Sequence, residues 1–158
     1  VTPIKLVDTL IEYLKPVVET FELQSNIKGI KKAPQITGGF LNEKKPQQMQ
    51  DVPDFPFVIV RYLEDEDNED AAIASVRIIA GTYSEDAKDG WRDPLNVVTR
   101  IKQHLLAHPF IGGPFRVEKP MRTELPEEQP VPEWIASLTI QVVIPVIEEE
   151  GVIDDDDY

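Results

Sequence analysis

Two histidines, His104 and His108, follow four carboxylates, Glu85, Asp86, Asp89 and Asp93, in the stretch YSEDAKDGWRDPLNVVTRIKQHLLAH at 83–108. Carboxylate oxygens suit a hard divalent cation, and imidazole nitrogens suit a transition metal or serve as a base. Histidines four apart share one helix face. HLLAH, however, lacks the glutamate of the metalloprotease helix, and no third ligand is indicated nearby. The structural alternative places both imidazoles in a last helical turn, where they complement its negative end.

A second acidic run, DEDNEDAAIASV at 65–76, has acids at the first, third and fifth positions of a calcium loop. Asp70 stands where the turn glycine belongs and Val76 where the bidentate glutamate belongs, so both decisive positions fail. Ser25, Ser75, Ser84 and Ser137 lie in no nucleophile elbow. Gly38-Gly39 and Gly112-Gly113 carry no GK[ST] ending and are not phosphate loops. Trp91 and Trp134 flank regular elements, as aromatic anchors of packing or of interfaces do. The residues assign no catalytic group, cofactor or metal ligand, and the expectation is a protein that is not an enzyme.

These groups must be positioned by the elements around them. Thr2 and Pro3 open a helix over 3 to 15, with Ile4, Val7, Leu10, Ile11 and Leu14 at helical spacing and Pro16 where it should stop or bend. VVETFEL then alternates like a short strand. Residues 24 to 54 read as a long polar loop or arm, with one short strand near Gln35 to Leu41. FPFVIVRYLED at 55–65 and AAIASVRIIAGTYS at 71–84 form a long β-hairpin around an acidic tip. Asp93 as cap and Pro94 as first residue start a second helix, whose stripe is Leu95, Val98, Ile101 and Leu105. FRVEKPMRTEL and WIASLTIQVVIPV supply two more strands, the last mostly buried, with Pro145 near its end. The tail over 148–158 is acidic and reads as disordered. The fold class is α+β: a single domain over 1–147, with two helices on one face of a mainly antiparallel sheet.

The chain has 158 residues, no cysteine and a formal net charge of −13. That charge opposes specific nucleic-acid binding, which depends on lysine and arginine displacing counterions. No apolar run is long enough to span a bilayer, so the expectation is a soluble protein. Charge is unevenly placed: residues 25–50 carry +4 and all others sum to −17. Lys28, Lys31, Lys32, Lys44 and Lys45 form a basic segment that could meet an acidic face, such as Glu64, Asp65, Glu66, Asp67, Glu69 and Asp70, on a neighbouring copy.

The hairpin FPFVIVRYLEDED...AAIASVRIIAGTYSED, the turn and helix KDGWRDPLNVVTRIKQHLLAH, and the strands FRVEKPMRTEL and WIASLTIQVVIPV together resemble the small tail-terminator and head-tail joining proteins of long-tailed bacteriophages and prophages. The likeness covers most of 3–147 and rests on element order and on the G-T-Y...D-G-W-R-D-P-L-N-V-V passage. It implies a virion protein of the phage tail and neck, assembled in the bacterial host cytoplasm. Such proteins form a ring, commonly a hexamer, against other tail or connector proteins, and DNA passes through without specific binding. A negative lumen would keep such a conduit from gripping its DNA. Two other classes remain open: a metal-binding regulatory or enzymatic domain using Asp86, Asp89, Asp93 and the histidines, and an adaptor domain that offers a sheet edge to a partner.

Overall fold

In the computed structural model, residues 2–40 and 54–145 are described. Helix α1 spans Pro3–Val18; the Thr2 hydroxyl accepts the Lys5 amide at 3.0 Å and Pro3 sits in the first turn. Leu6, Leu10, Leu14, Val17 and Val18 are buried, whereas Ile4 is 74 % exposed. The buried face is therefore rotated from the expected one, with Leu6 in it and Ile4 out of it. The helix also runs through Pro16. A proline this close to the end removes a single intrahelical bond, and burial of Val17 and Val18, at about 1.5–3 kcal/mol per side chain, favours continuing the turn. The strand expected over VVETFEL shrinks to β1 at Leu23–Gln24, which pairs antiparallel with β2 at Lys31–Lys32 as a separate small sheet.

The main sheet has six strands in the order β3-β4-β5-β8-β7-β6. These are β3 Gln35–Gly38, β4 Phe57–Asp67, β5 Ala71–Tyr83, β6 Phe110–Gly112, β7 Phe115–Glu124 and β8 Glu133–Pro145. Every pairing is antiparallel except β3 on β4. The α+β class with a mainly antiparallel sheet is thus the fold, and the hairpin, the last two strands and the short strand after residue 34 stand where the alternation puts them. The region from 24 to 40 holds more structure than a loop, namely the β1–β2 pair and β3. Residues 41–53 of that arm and the acidic tail lie outside the described residues.

Helix α2 spans Arg92–Ala107 and buries Pro94, Val97, Val98, Ile101 and Leu105. Val97 replaces Leu95, which is only half-buried, because the buried arc includes two adjacent positions where α2 lies across β5 and β8. Both helices pack on one face of the sheet. Their apolar stripes meet Val58, Val60, Val76, Ile78, Leu138, Ile140 and Val142 in one core. Helix α1 touches β3 and β4 at one side and β6 at the other, so the sheet curls around it.

The opposite face carries a smaller cluster at one end: Phe55, Phe57 and Ile59, with Ile79, Tyr83 and Ile135 against them. Phe57 pairs with Gly81 on β5, and a Cβ on that glycine would lie 2.2 Å from the Phe57 ring. Glycine is needed there for the ring to lie flat on the strand.

Candidate functional site

The turn between β5 and α2 is a joint. Asp86 Oδ1 accepts the amides of Lys88 at 3.0 Å and Asp89 at 3.1 Å, the Ser84 hydroxyl accepts the Asp86 amide, and Gly90 N–H donates to the Asp86 carbonyl. Asp86, not Asp93, thus organises the entry to α2. The N-cap position is Trp91, with no side-chain cap bond, and Asp93 lies inside the first turn. The expected Asp93 cap fails because the turn ahead of it is already helical and leaves that amide end served by backbone carbonyls: Arg92 N–H reaches Asp89 and Asp93 N–H reaches Gly90. Partial burial pushes the Asp93 carboxyl up.

Trp134 clamps this joint to β8. Its indole N–H donates to the Ser84 carbonyl at 2.9 Å, and the ring lies so close to Gly90 that a Cβ there would meet Nε1 at 2.4 Å. Trp91 donates to the Lys88 carbonyl at 3.0 Å. Both tryptophans act in packing around the turn.

The histidines stand at the other end of α2. At about 1.5 Å per residue, Asp93 and His104 are about 16 Å apart along the axis, too far to share an ion. Among the described residues, no three histidine or acidic side chains are grouped to hold one. The imidazoles of His104 and His108 lie 5.1 Å apart, and Tyr13 of α1 meets His104 edge-on at 5.4 Å. The Tyr13 hydroxyl donates to the His108 carbonyl at 2.6 Å, tying the end of α2 to α1. Burial raises the Tyr13 phenol.

The acidic hairpin tip is a surface of a different kind. Glu64, Asp65, Glu66, Asp67, Glu69 and Asp70 are all exposed. β3 pairs with β4 only as far as Val60, so among the described residues β4 from Arg61 to Asp67 is a free edge, with carboxylates along most of it. A bulge between Tyr62 and Glu64 shifts which face each acid takes. Tyr62 donates to the Asp65 carboxylate, and burial first, then that bond, pushes its phenol far up.

Lys28 sits in the turn between β1 and β2 and is exposed, Lys31 is exposed on β2, and Lys32 is half-buried there. Lys44 and Lys45 lie outside the described residues. Lys31 and Lys32 belong to the small β1–β2 sheet, and the acidic tip to the six-stranded one.

A second basic feature is absent from the sequence expectations. On the sheet face away from the helices, Arg61 lies directly opposite Arg77, Arg77 opposite Thr139, and Thr139 opposite Arg122, one rank across β4, β5, β8 and β7. The Arg61 guanidinium donates to the Gly39 carbonyl at 3.1 Å and stacks on Phe40 at 4.3 Å. Arg77 donates to the Thr139 hydroxyl at 3.4 Å. Arg122 stands 3.8 Å from the exposed carboxylate of Glu124, and among the described residues neither Arg61 nor Arg77 has a carboxylate within salt-bridge reach. The available signal was Arg77 on the outward side of an alternating strand, but the rank depends on register, which the sequence does not encode locally.

No protein-family model matches the chain, and no curated protein matches it significantly.

Proposed function

We propose that the chain is a structural, non-enzymatic protein of a phage or prophage virion, assembling as a ring at the head-tail junction to end the tail tube or join it to the head connector. The observation that carries this is the hairpin tip: six exposed carboxylates, four along an edge of β4 that is free among the described residues and two in the turn that joins it to β5. Carboxylates on an edge strand repel a foreign strand. In a ring such an edge has two uses: lining the channel, where it repels phosphates and lets DNA slide, or meeting a basic face of the next copy. This favours assembly by shape and charge over an adaptor that captures a peptide strand at that edge.

Apolar surface supports association as well. Ile4 at 74 % and Phe40 at 73 % exposure flank a groove lined by Val7, Ile11, Arg61 and Tyr62, beside the β3 edge. Paired exposed apolar groups next to a groove are typical of contact surfaces.

Native mass spectrometry and light scattering over a range of concentrations, with joining of purified tails as the functional assay, test the proposal. Closed oligomers that complete tails are expected. A strict monomer that also fails to join tails would overturn it.

A further inference from the structure

We infer that the arginine rank Arg61–Arg77–Arg122 is the receptor for the acidic hairpin tip of a second copy, so that neighbouring molecules associate head to tail. The inference rests on the assembly proposed above and names the surfaces that would make it.

Within one molecule the rank is poorly explained. Like charges directly opposite each other on a sheet are destabilising, by about 0.2–1 kcal/mol. The chain holds 29 acidic residues against 16 basic, yet Arg61 stands opposite Arg77 in the strand register and not opposite a carboxylate, and its guanidinium turns to Gly39 and Phe40 at the β3 edge. Two of the three guanidiniums are also held in place. Arg61 is half-buried and fixed by Gly39 and Phe40, and Arg77 is half-buried and leans on Thr139. Ser75 and Gln141, hydrogen-bonded to each other at 2.9 Å, continue the polar face beside the rank. With strands about 4.8 Å apart, Arg61 and Arg122 stand about 15 Å from each other. Ordered guanidiniums favour carboxylates, because a planar fork bonds both oxygens and little side-chain entropy remains to be lost.

The chain supplies the complementary group itself. Glu66, Asp67, Glu69 and Asp70 lie at the turn end of the β4–β5 hairpin, whose β5 arm is paired with β8 as far as Pro145, and all four are exposed. Arg61 and Arg77 lie on the same hairpin as the tip, and Arg122 lies on β7 beyond β8, so a molecule's own tip points along the strands away from its own rank. A neighbour's tip can approach across the face. Two different patches then meet, the heterologous contact from which rings are closed.

The test uses the full chain and two variants. The receptor variant is Arg77→Thr with Arg122→Thr; the tip variant is Glu66→Gln with Glu69→Gln and Asp70→Asn. Removing opposed like charges should leave the receptor variant's melting temperature unchanged or slightly raised, which separates assembly from folding. Each variant alone should associate at least about tenfold more weakly than wild type by sedimentation at low salt, with the wild-type advantage shrinking as salt screens the contact. An equimolar mixture should form heterodimers that do not grow, because each pair retains one intact contact. Undiminished self-association of both variants would overturn the inference and leave a ring built on other surfaces. A wild-type chain that is monomeric throughout also overturns it, and tail joining then decides the assembly proposal separately.

Discussion

The Trp134 indole lies against Gly90, with its N–H bonded to the Ser84 carbonyl at 2.9 Å. One side chain on β8 thereby fixes both ends of the turn that launches α2. Gly90→Ala would put a Cβ 2.4 Å from Nε1, so the ring or the turn must shift. The expected loss is about 1–3 kcal/mol, as for overpacking in a tight interior. Trp134→Phe keeps most of the apolar area but orphans the carbonyl, for about 1–3 kcal/mol. Urea denaturation of both variants measures the two losses.

Gly81→Ala should be more damaging than an ordinary strand substitution. A Cβ there would lie 2.2 Å from the Phe57 ring, and the ring has little room to retreat among Phe55, Ile59 and Tyr83. Alanine alone should lower stability by about 1–3 kcal/mol. The double variant Gly81→Ala/Phe57→Leu should recover part of that in a denaturation cycle.

Thr82 is 1 % exposed, and among the described residues its hydroxyl has no hydrogen-bond partner. Thr82→Val removes a desolvated hydroxyl at nearly constant shape. The expected outcome is a gain of about 1 kcal/mol, read as a higher denaturation midpoint with unchanged slope.

Asp93 gives a pH dependence of defined sign. Partial burial raises its carboxyl in the folded state, so the folded protein holds this proton more tightly than the unfolded chain. Its contribution therefore falls as pH rises from the ordinary aspartate range through the raised folded value, and remains unfavourable at neutral pH. Asp93→Asn should be more stable than wild type at neutral pH, with the gap closing as both are taken below the ordinary aspartate range. Thermal melts at several pH values check this, and a gap that widens on acidification would contradict it.

Patterns of period two and of helical period were legible wherever burial is one-sided. Strands β4, β5, β7 and β8 and both helices stand close to the positions their alternation and stripes predict. The departures have local causes. Pro16 predicts a stop or a bend, and the packing of Val17 and Val18 carries the helix past it despite one missing amide bond. Asp93 looked like a cap, but Asp86, farther upstream, organises the amides first. The rotation of α1 that buries Leu6 and exposes Ile4 follows from a helix seated inside a curled sheet, and curl is not written in any short window.

Surface chemistry was legible in its acidic half only. The carboxylates of the hairpin tip are contiguous in sequence, so they announce themselves. Arg61, Arg77 and Arg122 come from three strands and meet only through the registers of β4 with β5, β5 with β8 and β8 with β7. A slip of one residue in any pairing would send one of them to the helical side. The turn at 83–91 looked chemical because carboxylates and tryptophans crowd it, and its hydrogen bonds are those of a fastening.

Helix α1 touches β3 and β4 on one side and β6 on the other, so it works as a crossbar between the two rims of the sheet. Flattening or further rolling of the sheet has to prise that helix from one rim. A push delivered at the β3 rim, where Ile4 and Phe40 stand exposed, is therefore passed through a single rigid bar to the β6 rim.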